Sequence, residues 1–214
     1  MSDSQITAND DLAAINAGLA GKSAEEIIRW AASLGKRTMM TTTFGDHSAV
    51  ILHLVTRLIP EVKILWVDTG YNSSATYRFA DKLMRELDLS VDVYTPEMTS
   101  ARRNVLMKGI PDILEPLHEE FTRQVKLEPF DRAIREAQPE VWITGLRREQ
   151  SEHRKNMDIV THSKDGYLKV APMLEWVEAD MNQYLADNNL PNEPDYYDPT
   201  KGQENRECGL HTKF

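Results

Sequence analysis

The only cysteine of the 214-residue chain, Cys208, is the side chain whose type points most directly to covalent chemistry. Arg206, Gly209 and His211 flank it near the C-terminus. A thiolate is a strong nucleophile, and nearby cations favour it over the thiol. A single thiol cannot form an internal disulfide or hold a metal cluster that needs several thiolates. Until the chain offers an electrophile, a terminal cysteine without function is an equally good interpretation.

An anion-binding loop is the first candidate source of that electrophile. Hydroxyl groups, a glycine and the start of a helix follow one another after an apolar segment, in the order Thr41, Thr42, Thr43, Phe44 and Gly45. Such a loop presents donors to phosphate or sulfate. A capped turn between a strand and a helix would have the same composition. Asp46 is expected to cap the helix or point away from an anion.

Two further polar loops follow apolar segments. Asp68, Thr69 and Gly70 could orient a nucleotide or simply form a turn. Paired arginines follow a later segment, and the basic residues of that stretch are Arg147, Arg148 and Arg154. Arginines directly after a buried strand must reach solvent or an anion, because an unpaired buried charge is costly. Anion binding and a solvated run of charges remain equal alternatives here.

The elements that must position these loops alternate between strand and helix patterns. Strands are predicted at 38–44, 62–67, 91–94, 141–144 and 167–170, and helices at 23–34, 49–55, 74–87 and 178–188. The middle, 100–138, is predicted to be helical with interruptions near Pro111, Pro116 and Pro129. This alternation favours an α/β fold with a mostly parallel sheet flanked by helices. Because such sheets bind ligands at the carboxyl ends of their strands, all three loops fall where a site is expected.

Composition narrows the class of protein. Charged residues make up 28% of the chain and the net charge is −9, which argues against general nucleic-acid binding. The sequence has neither a secretory signal pattern nor an apolar run of transmembrane length. We therefore expect a cytoplasmic protein with one domain at 1–190 and a flexible or ligand-ordered tail at 191–214 that carries the cysteine.

Several motifs give the chain a family resemblance. The matching segments, in order, are Thr43-Phe44-Gly45, Asp68-Thr69-Gly70-Tyr71, Lys126-Leu127-Glu128-Pro129, Gly145-Leu146-Arg147-Arg148-Glu149-Gln150-Ser151 and Glu207-Cys208-Gly209-Leu210-His211. With them the chain resembles the adenylyl-sulfate and phosphoadenylyl-sulfate reductases, which have the adenine nucleotide alpha-hydrolase-like fold. The resemblance extends from about Arg37 to the C-terminus. The arginine and cysteine motifs together are its most specific part.

The resemblance implies an activity. Family members reduce an activated sulfate to sulfite through an S-sulfonated cysteine, which here would be Cys208, and a dithiol such as thioredoxin or glutaredoxin releases the sulfite. Since the paired cysteines of the cluster-containing branch are absent, the chain resembles the cluster-free branch, which acts on 3'-phosphoadenylyl sulfate. No bound cofactor and no metal are expected. A homodimer is reasonable for the family.

The resemblance also implies residue roles. The loop at 41–45 would hold the phosphosulfate, the three arginines and Lys126 would add positive charge, and His211 would position the tail or its thiolate. The run at 192–203 replaces the usual Gly-Tyr-x-Ser-x-Gly-type segment, which puts the tail geometry in question. The alternatives are an adenylyl-sulfate reductase and a nucleotide-binding sensor without catalysis. An ATP pyrophosphatase or sulfate adenylyltransferase is disfavoured, since His47 replaces the acid of their phosphate loop.

Overall fold

A computed structural model describes residues 12–201. Its six strands are β1 (Thr38–Thr42), β2 (Lys63–Val67), β3 (Val91–Tyr94), β4 (Val141–Ile143), β5 (Val160–His162) and β6 (Leu168–Val170). Its α-helices are α1 (Leu12–Leu19), α2 (Ala24–Ser33), α3 (Ser48–Leu58), α4 (Ser74–Glu86), α5 (Ser100–Met107), α6 (Leu117–Thr122), α7 (Glu128–Ala137) and α8 (Glu178–Asp187). A π-helix, Arg123–Leu127, joins α6 to α7, and two 3₁₀ turns cover Arg148–Gln150 and Glu152–Asn156.

The strands form one sheet in the order β3-β2-β1-β4-β6-β5. Every neighbouring pair is parallel except β5 and β6. The order changes direction at β1, which has β2 on one side and β4 on the other. The carboxyl ends of β1 and β4 therefore border the crevice in which open α/β sheets bind ligands.

Side chains that alternate along the strands supply two apolar layers. Met40, Ile64 and Trp66 belong to the larger core, which α2, α3 and α4 cover on one face. Met39 and Trp142 point to the other face and pack with α7. Since successive side chains of a strand point to opposite faces, adjacent methionines serve both layers. The predicted fold class, a mostly parallel sheet with helices on its faces, is confirmed.

Local sequence signals account for most element bounds. Ser23 and Glu26 form the expected capping box at the start of α2, with Glu26 N–H 3.2 Å from Ser23 Oγ and Ser23 N–H 2.8 Å from Glu26 Oε2. At Pro129, near which an interruption is predicted, the helix changes type without a break: the π-helix ends at Leu127 and α7 begins at Glu128. A proline inside a continuous helical run removes one backbone donor, and this one lies directly after the π-helix.

The short antiparallel strand β5 was not predicted. Its three residues are too few to show an alternating pattern. The side-chain amide of Asn16 in α1 exchanges two hydrogen bonds with the backbone of Val160, both at 2.9 Å. This pair occupies backbone groups on the outer side of an edge strand. Among residues 12–201, no helix is both long and apolar enough to cross a membrane.

Candidate active site

A cleft of about 190 Å³ lies where the loops after β1 and β4 meet. Residues of β1, of both loops, of α3, of the 3₁₀ turns, of the segment after β6 and of α8 line it: Thr41, Thr42, Thr43, Asp46, His47, Ser48, Ile51, Thr144, Gly145, Leu146, Arg147, Gln150, Arg154, Met173 and Met181. The topology thus brings together two loops that lie about a hundred residues apart in the chain. This is the crevice predicted for a ligand of an open α/β sheet.

The loop after β1 is held in shape by its own residues. Phe44 donates its backbone N–H to Thr42 Oγ1 at 3.1 Å and has a left-handed φ of 50°. Its ring is fully buried and packs edge-on against Trp66, with the ring centroids 4.9 Å apart. Only the backbone of Phe44 is therefore placed to contact a ligand. The hydroxyl of Thr41 accepts a hydrogen bond from Trp142 Nε1 at 3.2 Å.

Asp46 does not cap α3. The residue before that helix is His47, which has a left-handed φ of 59° and makes no side-chain capping bond. Asp46 instead directs one carboxylate oxygen to His47 Nδ1 at 2.8 Å and accepts a hydrogen bond from Asn192 at 2.7 Å. Its carboxylate is thus held by polar partners beside the cleft.

The arginines that follow β4 point in different directions. Arg147 and Arg154 are each 7% exposed and line the cleft. Arg147 pairs with Glu149, and Arg154 donates a hydrogen bond to Gln150. Arg148 turns away, donating to Glu175 Oε1 at 2.7 Å and to a backbone carbonyl at 2.7 Å. Two buried guanidinium groups, rather than three, therefore face the cleft.

The loop after β2 is stabilised by a single carboxylate. Asp68 Oδ1 accepts hydrogen bonds from Gly70 N–H at 2.9 Å, from Asn72 at 2.9 Å and from the Tyr77 hydroxyl at 2.8 Å. Gly70 has a φ of +78°, which favours glycine. Thr69 is buried, and its hydroxyl oxygen accepts a hydrogen bond from the Tyr71 N–H at 3.2 Å. Asp68 therefore shapes this turn, and the three predicted residues lie outside the cleft between β1 and β4.

Lys126 lies in the π-helix and is 5% exposed. Its ammonium group donates to Asp198, which is 8% exposed, and lies 3.4 Å from Thr200 Oγ1. Burial alone would raise the pKa of Asp198. The charge of Lys126 and the hydrogen bonds from Lys126 and Thr200 outweigh burial and hold this pKa below its ordinary value.

Residues 192–200, which we call the arm, cross the carboxyl edge of the sheet. Asn192 accepts a hydrogen bond from His47 N–H at 2.8 Å, at the start of α3. The ring of Tyr196 packs on Gly45 so closely that a Cβ built on this glycine would lie 2.6 Å from the ring. Beyond Asp198, the carbonyl of Thr200 lies 3.2 Å from His118 Nε2. The first part of the predicted flexible tail is thus fixed to the body at several points.

Four of the predicted site residues lie outside the described residues: Cys208, His211, Arg206 and Gly209. The structure therefore tests neither their placement nor the roles assigned to them. Within the described range, no cluster of three or more His, Cys, Asp or Glu side chains could hold a metal ion.

The sequence did not indicate the site residues that belong to the arm. Four of its residues contact loop or helix residues that lie far from them in the chain: Asn192, Tyr196, Asp198 and Thr200. The one available signal was the departure of this run from the family pattern. Gln150 was also missed, although it lies within the arginine motif.

Comparisons with known proteins show which proteins the chain is similar to. Residues 37–198 match the model of the phosphoadenosine phosphosulfate reductase domain. A phosphoadenosine 5'-phosphosulfate reductase of Synechococcus sp. is 40% identical over 86% of this chain and 79% of its own. The corresponding protein of Photobacterium profundum is 36% identical over 94% of this chain and 88% of its own. In fold, the chain resembles the crystal structure of phosphoadenylyl-sulfate reductase from Candida auris, with a TM-score of 0.74 and 23% identity over 85% and 87% of the two chains.

Proposed function

This chain belongs to the phosphoadenosine phosphosulfate reductase family, and from that premise we propose a two-step reduction in which Cys208 is the nucleophile. The protein is an oxidoreductase that reduces 3'-phosphoadenylyl sulfate to sulfite. The other product is adenosine 3',5'-bisphosphate. The two steps below divide the reduction between this chain and an external dithiol.

In the first step, the Cys208 thiolate attacks the sulfur of the phosphosulfate. A sulfur–sulfur bond forms, the bond between sulfur and the bridging oxygen breaks, and the nucleotide leaves with both electrons of that bond. The cysteine becomes an S-sulfonate. Covalent catalysis of this kind replaces one difficult reduction by a group transfer and a thiol exchange.

In the second step, a thiolate of an external dithiol attacks the Cys208 sulfur and expels sulfite. The second thiol of the reductant then attacks the mixed disulfide, which restores the Cys208 thiolate and leaves the reductant oxidised. An external reductant is required because the chain has one cysteine. Thioredoxin or glutaredoxin has the required dithiol chemistry.

The observation that carries this proposal is the pair of buried arginines beside the loop after β1. Arg147 and Arg154 line a cleft whose other wall contains the hydroxyls of Thr41, Thr42 and Thr43. Buried guanidinium groups and hydroxyl donors suit the phosphosulfate, and they stabilise the charge that develops on the leaving phosphate. Backbone groups of Phe44 and Gly45 complete the assigned loop.

Two of the predicted cations have other roles in this proposal. Arg148 joins the 3₁₀ turn to Glu175 and contributes to the fold around the site. Lys126 acts through the arm. Asp68, Thr69 and Gly70 shape the loop after β2, and we assign them the orientation of the nucleotide through backbone groups.

Cellular setting and assembly are part of the same proposal. A cytoplasmic location would keep the single thiol reduced and supply the dithiol. We assign the chain no nucleic-acid partner, since its net charge is −9. A homodimer remains a prediction, which the mass in solution would test. His211 and Arg206 are assigned to orient the thiolate and favour its charged form.

The decisive experiment is intact-mass measurement after mixing the reduced protein with 3'-phosphoadenylyl sulfate. We expect a sulfonate adduct on the wild-type protein and none on Cys208→Ser. Reduced thioredoxin should then release sulfite in proportion to the adduct. Sulfite production by Cys208→Ser at the wild-type rate would exclude the mechanism.

A matched substrate pair tests the role of the 3'-phosphate. Adenylyl sulfate differs from the proposed substrate by that group alone. We expect adduct formation with 3'-phosphoadenylyl sulfate at concentrations where adenylyl sulfate gives little. Equal rates with both would place the chain with enzymes that do not require the 3'-phosphate.

A further inference from the structure

We propose that Lys126, Asp198 and Thr200 form a clamp that fixes the base of the cysteine-bearing tail. Lys126 then affects the reaction by positioning the tail, and it does not bind the substrate. This proposal rests on the proposed function in one respect, namely that Cys208 is the nucleophile. The three residues are positioning residues, since they act through the tail.

The charge of Lys126 is already neutralised by a buried partner. The Lys126 side chain is 6% exposed and the Asp198 side chain 4%. One oxygen of Asp198 receives the ammonium group, and the other accepts the Thr200 N–H at 3.0 Å and the Thr200 hydroxyl at 2.6 Å. A phosphate could replace this carboxylate only if a buried charge were removed from its partner, which is strongly unfavourable.

The clamp also occupies a definite place along the arm. Upstream of it, Tyr196 packs on Gly45 of the cleft loop. Downstream, the Thr200 carbonyl faces His118 Nε2, whose ring also lies 3.0 Å from the carbonyl of Pro111 through Nδ1. The clamp thus joins the π-helix and α6 to the last described part of the arm, and the contact of Tyr196 with the cleft loop lies just upstream of it.

The clamp is expected to affect the rate of thiol attack because it shortens the segment that tethers Cys208 to the body. Cys208 lies 8 positions after Thr200 and 12 after Tyr196, the next contact upstream. At the length of an extended residue, the thiol can reach at most roughly 28 Å from the clamp but roughly 42 Å from Tyr196. Because effective concentration falls with about the −3/2 power of tether length, loss of the clamp should slow thiol attack by about twofold. Lost orientation would add to this effect.

The variants are Asp198→Asn, Thr200→Val and Lys126→Met, with Asp198→Glu as the conservative replacement. Asp195→Asn is the matched control, because it makes the same chemical change at an exposed position of the same arm. Single-turnover adduct formation at saturating 3'-phosphoadenylyl sulfate reports the rate of thiol attack. Affinity for adenosine 3',5'-bisphosphate, measured in a Cys208→Ser background, shows whether the cleft still binds nucleotide.

We expect the three clamp variants to form the adduct at least about twofold more slowly at saturation, with nucleotide affinity equal to that of the parent. Asp198→Glu should recover part of the rate, and Asp195→Asn should match the wild type. A clamp variant that loses nucleotide affinity while keeping the saturated rate would overturn the proposal, since Lys126 would then bind substrate directly.

Hydrogen exchange separates failure of the clamp from failure of the proposed function. If the wild-type protein forms no adduct, the mechanism is wrong, but the clamp is still testable. Asp198→Asn should then speed amide exchange across 192–200 and leave β1 and β4 protected. Unchanged exchange in the arm would overturn the clamp whatever the activity.

Discussion

The cleft between β1 and β4 and the arm that crosses beside it are built in opposite ways. The cleft consists of loops that begin where strands end, so the sheet itself places Thr41 near Arg147. The arm has no regular secondary structure and depends on single contacts, such as those of Asn192 with His47 and of Asp198 with Lys126. The framework thus fixes the cleft, whereas a few polar pairs and one ring fix the arm.

This difference separates two tasks that the reaction requires. Substrate binding needs a preformed array of donors, which rigid strand ends provide. In the proposed mechanism the same cysteine must meet the substrate and then the reductant, so its delivery depends on the arm and the residues that follow it rather than on the sheet.

The largest expected effect tests the cleft alone. Arg147→Ala and Arg154→Ala should each weaken binding of adenosine 3',5'-bisphosphate by about 1–3 kcal/mol, or roughly 5- to 150-fold, because a charged contact is lost. Titration calorimetry would measure the change. Arg148→Ala is the internal comparison, since this guanidinium pairs with Glu175 away from the cleft.

A loss of affinity in Arg148→Ala as large as in the other two variants would contradict the division among the arginines. It would show that the 3₁₀ turn rearranges when ligand binds. Circular dichroism of each variant would verify that the fold is retained.

The next effect tests the point where cleft and arm touch. Gly45→Ala would place a Cβ 2.6 Å from the ring of Tyr196, so the ring must move. We expect a cost of about 1–2 kcal/mol, in the range of other overpacked sites. Hydrogen exchange and adduct kinetics would detect the displaced ring as faster amide exchange in the arm and slower adduct formation. Gly18→Ala is the control, since a Cβ there meets nothing within 4 Å.

A smaller effect tests whether the loop after β2 is a structural turn. Tyr77→Phe removes the hydroxyl that donates to Asp68 at 2.8 Å. Burial and this bond raise the pKa of Tyr77 to about 12, so the hydroxyl is protonated at neutral pH. We expect the free energy of unfolding to fall by about 1 kcal/mol in urea titrations. A loss of nucleotide affinity instead would assign Tyr77 to the site.

The smallest effect concerns the start of α2, which belongs neither to the cleft nor to the arm. The Ser23 N–H and the Lys22 ammonium group hold the pKa of Glu26 at about 2, against an ordinary value of 4.5. A carboxyl whose pKa is lowered by folding stabilises the protein above its unfolded pKa, and this contribution is lost as pH falls towards 2. Glu26→Gln should therefore unfold at a slightly lower temperature at pH 7. The difference from wild type should vanish near pH 2, and nucleotide affinity should not change.

Sequence reasoning found the framework because local patterns encode it. Helix α2 has a capping box, and β2 is an apolar run that ends at Asp68, so both follow from residues close together in the chain. The positions of the cleft loops then follow from the rule that parallel strands share a carboxyl edge. Strand β5 was missed because three residues carry too little pattern.

The directions of individual charges could not be predicted in the same way. Arg147 and Arg148 are neighbours of the same type, yet a 3₁₀ turn sends one into the cleft and the other to Glu175. The family motif predicted that Lys126 adds positive charge at the substrate, because its burial and its pairing with Asp198 are visible only in the tertiary structure. Asp198 lies 72 positions later, and the sequence near either residue does not indicate the pair.

The long separations of the arm contacts also have a consequence for synthesis. These contacts span from 72 to 151 positions, so the arm can dock only after the segments that receive it have emerged from the ribosome and folded. Cys208, the proposed nucleophile, lies still further along the chain and leaves the ribosome after all of these segments. All six strands are therefore synthesised before it. A chain that stops between Val170 and Cys208 would contain the strands of the sheet and lack the proposed nucleophile.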